Sequence, residues 1–252
     1  MQFHEQLARA TAADRAYLLG APVIRQCLAG DVTRELYVAF LTQAYHHVRH
    51  TVPLLMAVGA RVPDRHEWLR DAVLHYLAEE AGHEQWILND IDHAGGDRKR
   101  AAASCPNVAT QCMVAFAYDT VQRGNPLGFF GMVHVLEGTS VALALQAADR
   151  IQESLQLPSR AFSYLRSHGE LDRQHIDDLA NILNRFTDPA DRTAVVDCAR
   201  GIFWLYGNVF RSLDGSTANA AGGDDISAAD DGSDVDTAVD GFGTDADTRQ
   251  SA

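Results

Sequence analysis

Residues 158–186 read PSRAFSYLRSHGELDRQHIDDLANILNRF. Pro158 is placed to open a helix, and Leu165, Ile176, Leu179 and Ile182 fall on one side of it at helical spacing. His168, Asp172 and His175 stand close to that same side. At 100° per residue, positions i, i+4 and i+7 lie within about 60° of one another. A solvated polar face would be the plain explanation, but the apolar neighbours predict burial. A buried acid and two buried imidazoles need partners. Donors converging from successive turns are what a metal ion requires.

The same periodicity extends outward. Asp31 is expected to cap a helix through Leu36, Phe40, Ala44, His47 and Val48, which Pro53 kinks or ends. A segment from Asp64 to Gly95 carries Trp68, Leu69, Val73, Leu77, Trp86 and Ile87 at helical steps. Asn125-Pro126 and Asp188-Pro189 each combine a cap with a first-turn proline. No alternating strand pattern and no fixed repeat is visible. The expectation is one all-α domain of about seven helices over residues 1–212.

Two further signals concern metal chemistry. In Glu79-Glu80-Ala-Gly-His83, Glu80 and His83 have the Glu-x-x-His spacing of carboxylate-bridged di-iron bundles. Glu79 and His83, at i and i+4, could also share a face, so either acid remains open. Glu137 is an acid in an otherwise apolar stretch, expensive to bury ionised without a counter-charge. It is either metal-bound or paired, for instance with His134 one turn earlier. A further helix carries Tyr45, His46, His47, Arg49 and His50. It could supply ligands or substrate contacts from Tyr45, His46, Arg49 and His50, with Arg49 able to hold a carboxylate.

The chain has 252 residues, 46% of them apolar, enough for a sizeable core. Its net charge of −13 is concentrated at one end: from Asp214 onward ten Asp face one Arg, leaving −4 for residues 1–213. Residues 213–252, rich in Gly, Ala, Ser and Thr, are expected to be a disordered acidic tail. The rest has no basic stripe, which argues against nucleic acid. No apolar run suggests a membrane span, and no secretory signal is visible. The scattered Cys27, Cys105, Cys112 and Cys198 form no CxxC pair. A reducing, cytoplasmic setting is expected.

Taken together, Glu80-x-x-His83, Glu137 and His168-x3-Asp172-x2-His175 resemble the heme-oxygenase-like di-iron oxidases and oxygenases. These share a fold with the thiaminase-II-like and pyrroloquinoline-quinone-synthase-like (TenA/PqqC-like) proteins. The match covers most of residues 1–212, and the Gln43-Ala-Tyr45 segment resembles the pocket-lining helix of these relatives. The resemblance implies a helical bundle with Glu80 (or Glu79), His83, Glu137, His168, Asp172 and His175 holding two Fe(II) ions. It implies O2 as co-substrate and an unidentified small molecule as the compound oxidised, and it allows a homodimer. The charge count agrees: three carboxylates and two ferrous ions leave a buried site at +1, whereas one divalent ion leaves it at −1. The O/N donor set suits iron, or manganese, better than zinc. Two other readings use the same fold. One is a thiaminase-II-like hydrolase with Cys105 or Cys112 as nucleophile. The other is a non-catalytic helical metal-binding or regulatory protein.

Overall fold

A computed structural model describes residues 1–213, apart from the side chains of 170–174. The expected acidic tail lies outside the described residues. Twelve α-helices follow one another: α1 (Phe3–Ala10), α2 (Ala12–Leu19), α3 (Pro22–Ala29), α4 (Arg34–Val48), α5 (Thr51–Arg61), α6 (Leu69–Glu80), α7 (His83–His93), α8 (Arg98–Ala103), α9 (Val108–Gln122), α10 (Phe129–Leu155), α11 (Ser163–Asn184) and α12 (Pro189–Ser212). Short 3-10 turns at Asp64–His66, Pro126–Gly128 and Ser159–Phe162 join some of them. No strand occurs among the described residues.

The count exceeds seven because expected long segments are broken. The helix entering at residue 34 is capped by the Thr33 hydroxyl, which accepts from the Leu36 N–H, and not by Asp31. It stops at Val48, and Pro53 sits in the first turn of α5, where its missing N–H costs nothing. The segment from Asp64 to Gly95 opens with a 3-10 turn and divides again after Glu80. There Ala81 is extended and Gly82 adopts φ 92°, a left-handed conformation that glycine takes without a Cβ penalty. Asn125 and Asp188 cap as expected, accepting from Leu127 and Ala190 N–H groups.

α10 organises the bundle. Its first turns, Phe129 to Val135, belong to an apolar cluster shared with α1–α3, α5, α6, α9, α11 and α12. Its later turns, Ala144, Ala148 and Ile151, belong to a second cluster with α4, α7 and the start of α11. Glu137 lies between the two. By length and composition Pro126–Leu155 could cross a membrane, contrary to the reading that no run approaches that character. The helix is this apolar because one side packs in the core and another lines an internal cavity.

α11 has no cap from its own segment. Asp90 of α7 supplies one across the fold: its carboxylate accepts from the N–H groups of Ser163 (3.0 Å) and Tyr164 (2.8 Å) and from the Ser163 hydroxyl (2.5 Å). These are among the orphan donors that every helix start presents. The bond ties α7, which begins with His83, to α11, which carries His168 and His175. A second close approach holds α11 against α10: a Cβ on Gly169 would meet Leu145 Cγ at 2.6 Å.

Candidate metal centre

Glu79 and Glu80 end α6, His83 begins α7, Glu137 is midway along α10, and His168 and His175 are two turns apart on α11. The fold brings these six together in two groups. In the first, Glu80 Oε2 is 3.1 Å from His83 Nδ1, and the His83 and His168 rings meet edge-on at 4.8 Å. Donor atoms of Glu80, His83 and His168 lie within 4.8 Å of one another, close enough for one ion to reach all three. In the second, His175 Nε2 is 3.1 Å from Glu79 Oε2 and its Nδ1 is 3.6 Å from Glu137 Oε1. Both acids of the Glu79-Glu80 pair are therefore placed at the centre, one in each group. The helix break at Ala81-Gly82 sets His83 at the start of α7, beside Glu80. The Asp172 side chain lies outside the described residues.

His83, His175 and Glu137 are buried, at 2%, 4% and 7% exposure. Neighbouring rings fix the imidazoles: Trp86 stacks on His83 at 4.0 Å, Tyr164 meets His168 at 4.9 Å, and Tyr76 meets His175 at 5.8 Å. Tyr76 also faces Glu137. Burial, and then the negative charge of Glu137, push its phenol well above the usual tyrosine range, so it stays protonated. His134 does not pair with Glu137; its ring packs against Phe203, and burial pushes its pKa down to about 4.

A cavity of about 170 Å³ opens beside the centre, with Glu80, Glu137, His168 and Tyr76 in its wall. α4 forms the opposite wall, but not through the residues expected. Leu36, Phe40, His47 and Val48 line the cavity. Tyr45, His46, Arg49 and His50 do not. His46 Nε2 is 2.9 Å from the Ser104 hydroxyl, His50 Nδ1 is 3.1 Å from the Tyr118 hydroxyl, and the exposed Arg49 lies over the Tyr45 ring. Gln43 accepts from the Asn107 N–H and the Thr110 hydroxyl. The helical phase accounts for this. Leu36, Phe40, Ala44, His47 and Val48 form one face, and Tyr45, His46 and Arg49 lie to its sides. His47 was legible as a member of that apolar face, and Tyr76 as the residue one turn before Glu79 and Glu80. Burial, and then the nearby His168, push the His47 imidazole down to about 3, so it is neutral at physiological pH. Cys105 and Cys112 are exposed and away from the cavity; Cys27 lines it, with a thiol that burial pushes up to about 11.

The model of a family described as iron-containing redox enzymes matches residues 38–207. No curated protein matches the chain. Among solved structures, a domain of unknown function with a heme oxygenase-like fold from Shewanella denitrificans is 23% identical, with a TM-score of 0.78 over 86% of this chain and 94% of that one. A TenA homolog from Pseudomonas syringae is 10% identical, with a TM-score of 0.69 over 84% of this chain and 93% of that one. Heme oxygenase-1 from the cyanobacterium Synechocystis, solved with heme, is 16% identical, with a TM-score of 0.67 over 86% and 94%. The bundle thus has the heme oxygenase-like, TenA-like fold.

Proposed function

Because the chain belongs to the iron-containing redox enzyme family, we propose that it is a non-heme di-iron oxidoreductase that uses O2 to oxidise a small molecule. The observation that carries this reading is the pair of donor groups, Glu80–His83–His168 and Glu79–His175–Glu137, side by side at a cavity wall. The residues fit two ions. The contacts they make with one another engage the lone pairs that metal ions would take, and the carboxylates of Glu79, Glu80 and Glu137 set −3 against the +4 of two ferrous ions. A single axial histidine, as heme would use, leaves Glu80 and Glu137 without a counter-charge in a wall that contains no Lys or Arg. The hydrolase alternative has neither of its two cysteines at the cavity.

Bound ferrous iron would supply the electrons that reduce O2. The protein supplies the rest. Helix-borne ligands keep the donors at fixed separations. The protonated Tyr76 phenol faces Glu137 and can orient its carboxylate by donating a hydrogen bond. The apolar wall keeps bulk water away from the reacting groups. The setting proposed is the cytoplasm.

Anaerobically prepared ferrous protein mixed with oxygenated buffer is expected to consume O2 and oxidise its iron within minutes. An oxygen electrode and iron spectroscopy follow the two changes. Iron that remains ferrous, with no oxygen taken up, would overturn the oxidase reading.

A further inference from the structure

The cavity restricts what that oxidation can act on. We propose, resting on the reading above, that the substrate is an elongated aliphatic molecule with one small polar head, lying along α10 with its head near His47. The α10 residues that line the cavity run from Phe129 to Ile151 in steps of three and four, so one helical stripe faces it throughout. That stripe is about 33 Å long at the helical rise of 1.5 Å per residue. Beyond Glu137 it continues through Leu143, Ala144, Ala147 and Ile151, and Leu36 and Phe40 also line the cavity. The charged lining residues are Glu80 and Glu137, and no Lys or Arg joins them. A molecule with several charges or hydroxyls would lose its hydration there without gaining partners. An alkyl chain would lose nothing.

The polar groups left open are few. His47 lines the cavity, is 3% exposed, and its ring meets Tyr206 edge-on at 5.6 Å. The Ser140 hydroxyl, one turn beyond Glu137, is buried with no hydrogen-bond partner among the described residues. By contrast, the Tyr37 and Thr139 hydroxyls are spent on the Ala161 and Val135 carbonyls. Buried polar groups in native proteins are nearly always satisfied, so Ser140, with the His47 imidazole lining the same cavity, points to a ligand atom between these walls. One head group near the metal centre and one apolar tail toward Ile151 use all of these features.

The test is calorimetric titration of the full-length protein, iron-free and ferrous-loaded without oxygen, with n-hexanol, n-octanol and n-decanol. Affinity is expected to rise roughly fourfold per added methylene. Ala147 lies about 15 Å along the helix from Glu137. Ala147→Phe is expected to remove the gain from octanol to decanol while leaving hexanol binding unchanged, and Ala147→Leu to act the same way by less. His47→Ala is expected to weaken all three alcohols by roughly the same fivefold. Affinities that stay flat with chain length, or an Ala147→Phe protein that loses hexanol as well as decanol, would overturn the proposal. Chain-length dependence in protein that takes up no iron would uphold this cavity assignment and overturn the metal reading instead. Iron uptake with flat affinities would do the reverse.

Discussion

His175→Ala is expected to weaken iron binding at one of two positions by at least about 10–100-fold and to abolish oxygen uptake, with the helical content kept. His175 is 4% exposed and its two nitrogens face Glu79 and Glu137 at 3.1 and 3.6 Å. Alanine removes one donor and leaves the two acids facing a void. Each then disfavours ionisation of the other, which costs the site a second time because only the carboxylate binds metal. The loss of groups that merely orient ligands reaches about 10–100-fold, so loss of a ligand should be no smaller. α11 itself should persist, since Asp90 caps its start and Leu179, Ile182 and Leu183 remain packed. Iron content by elemental analysis, oxygen uptake and circular dichroism measure the three parts. A variant with normal iron and normal oxygen uptake would show that His175 is no ligand.

The second large effect is on stability. Asp191→Ala is expected to destabilise the fold by about 3–5 kcal/mol, because it breaks a buried charge network by removing its acceptor. Asp191 is fully buried in the first turn of α12. It accepts from Arg65 at 2.8 Å, His66 at 2.7 Å and Asn125 at 2.8 Å, joining the turn before α6 to the turn before α10. The buried His66 would be left unmatched, while the half-exposed Arg65 would turn to water. At about 2–4 °C per kcal/mol for a protein of this size, Tm should fall by on the order of 10 °C.

The pH dependence follows from the same contacts. Burial alone would raise the Asp191 carboxyl. Hydrogen bonds from Asn125, His66 and Arg65, with the Arg65 charge, outweigh burial and hold it below the usual carboxylate range. Its folded pKa is thus lower than its unfolded value of about 3.9. The stabilisation is complete above the unfolded value and is lost as pH falls through the folded one. The Tm gap between wild type and Asp191→Ala should therefore be constant near neutrality and shrink in acid. A gap of a degree or two at neutral pH, or one that persists unchanged at pH 2, would contradict this.

None of the Asp191 network was legible in the sequence. Asp191 stands 66 to 126 residues from its partners at positions 65, 66 and 125, and nothing local marks them as partners. Helix class was legible because it is local: apolar residues at three- and four-residue steps, and caps such as Asn125 and Asp188 beside their prolines. Breaks were less so. The periodicity of residues 64–95 runs through Gly82, yet that residue takes a left-handed conformation and divides the segment. The same break decides the site. Glu79 and Glu80 are the last residues of α6 and leave it about 100° apart, Glu79 toward His175 and Glu80 toward His83, which the break sets at the start of α7. On α4, His46, Arg49 and His50 form a polar cluster in sequence, but the apolar phase of the helix turns His47 to the cavity.

The central claim is that these side chains hold two irons. Its most direct test is metal content per chain after anaerobic reconstitution with ferrous iron and removal of the excess. Close to two irons per chain are expected at saturation. A value that stays at one, or zinc that remains tightly bound after reconstitution, would contradict it.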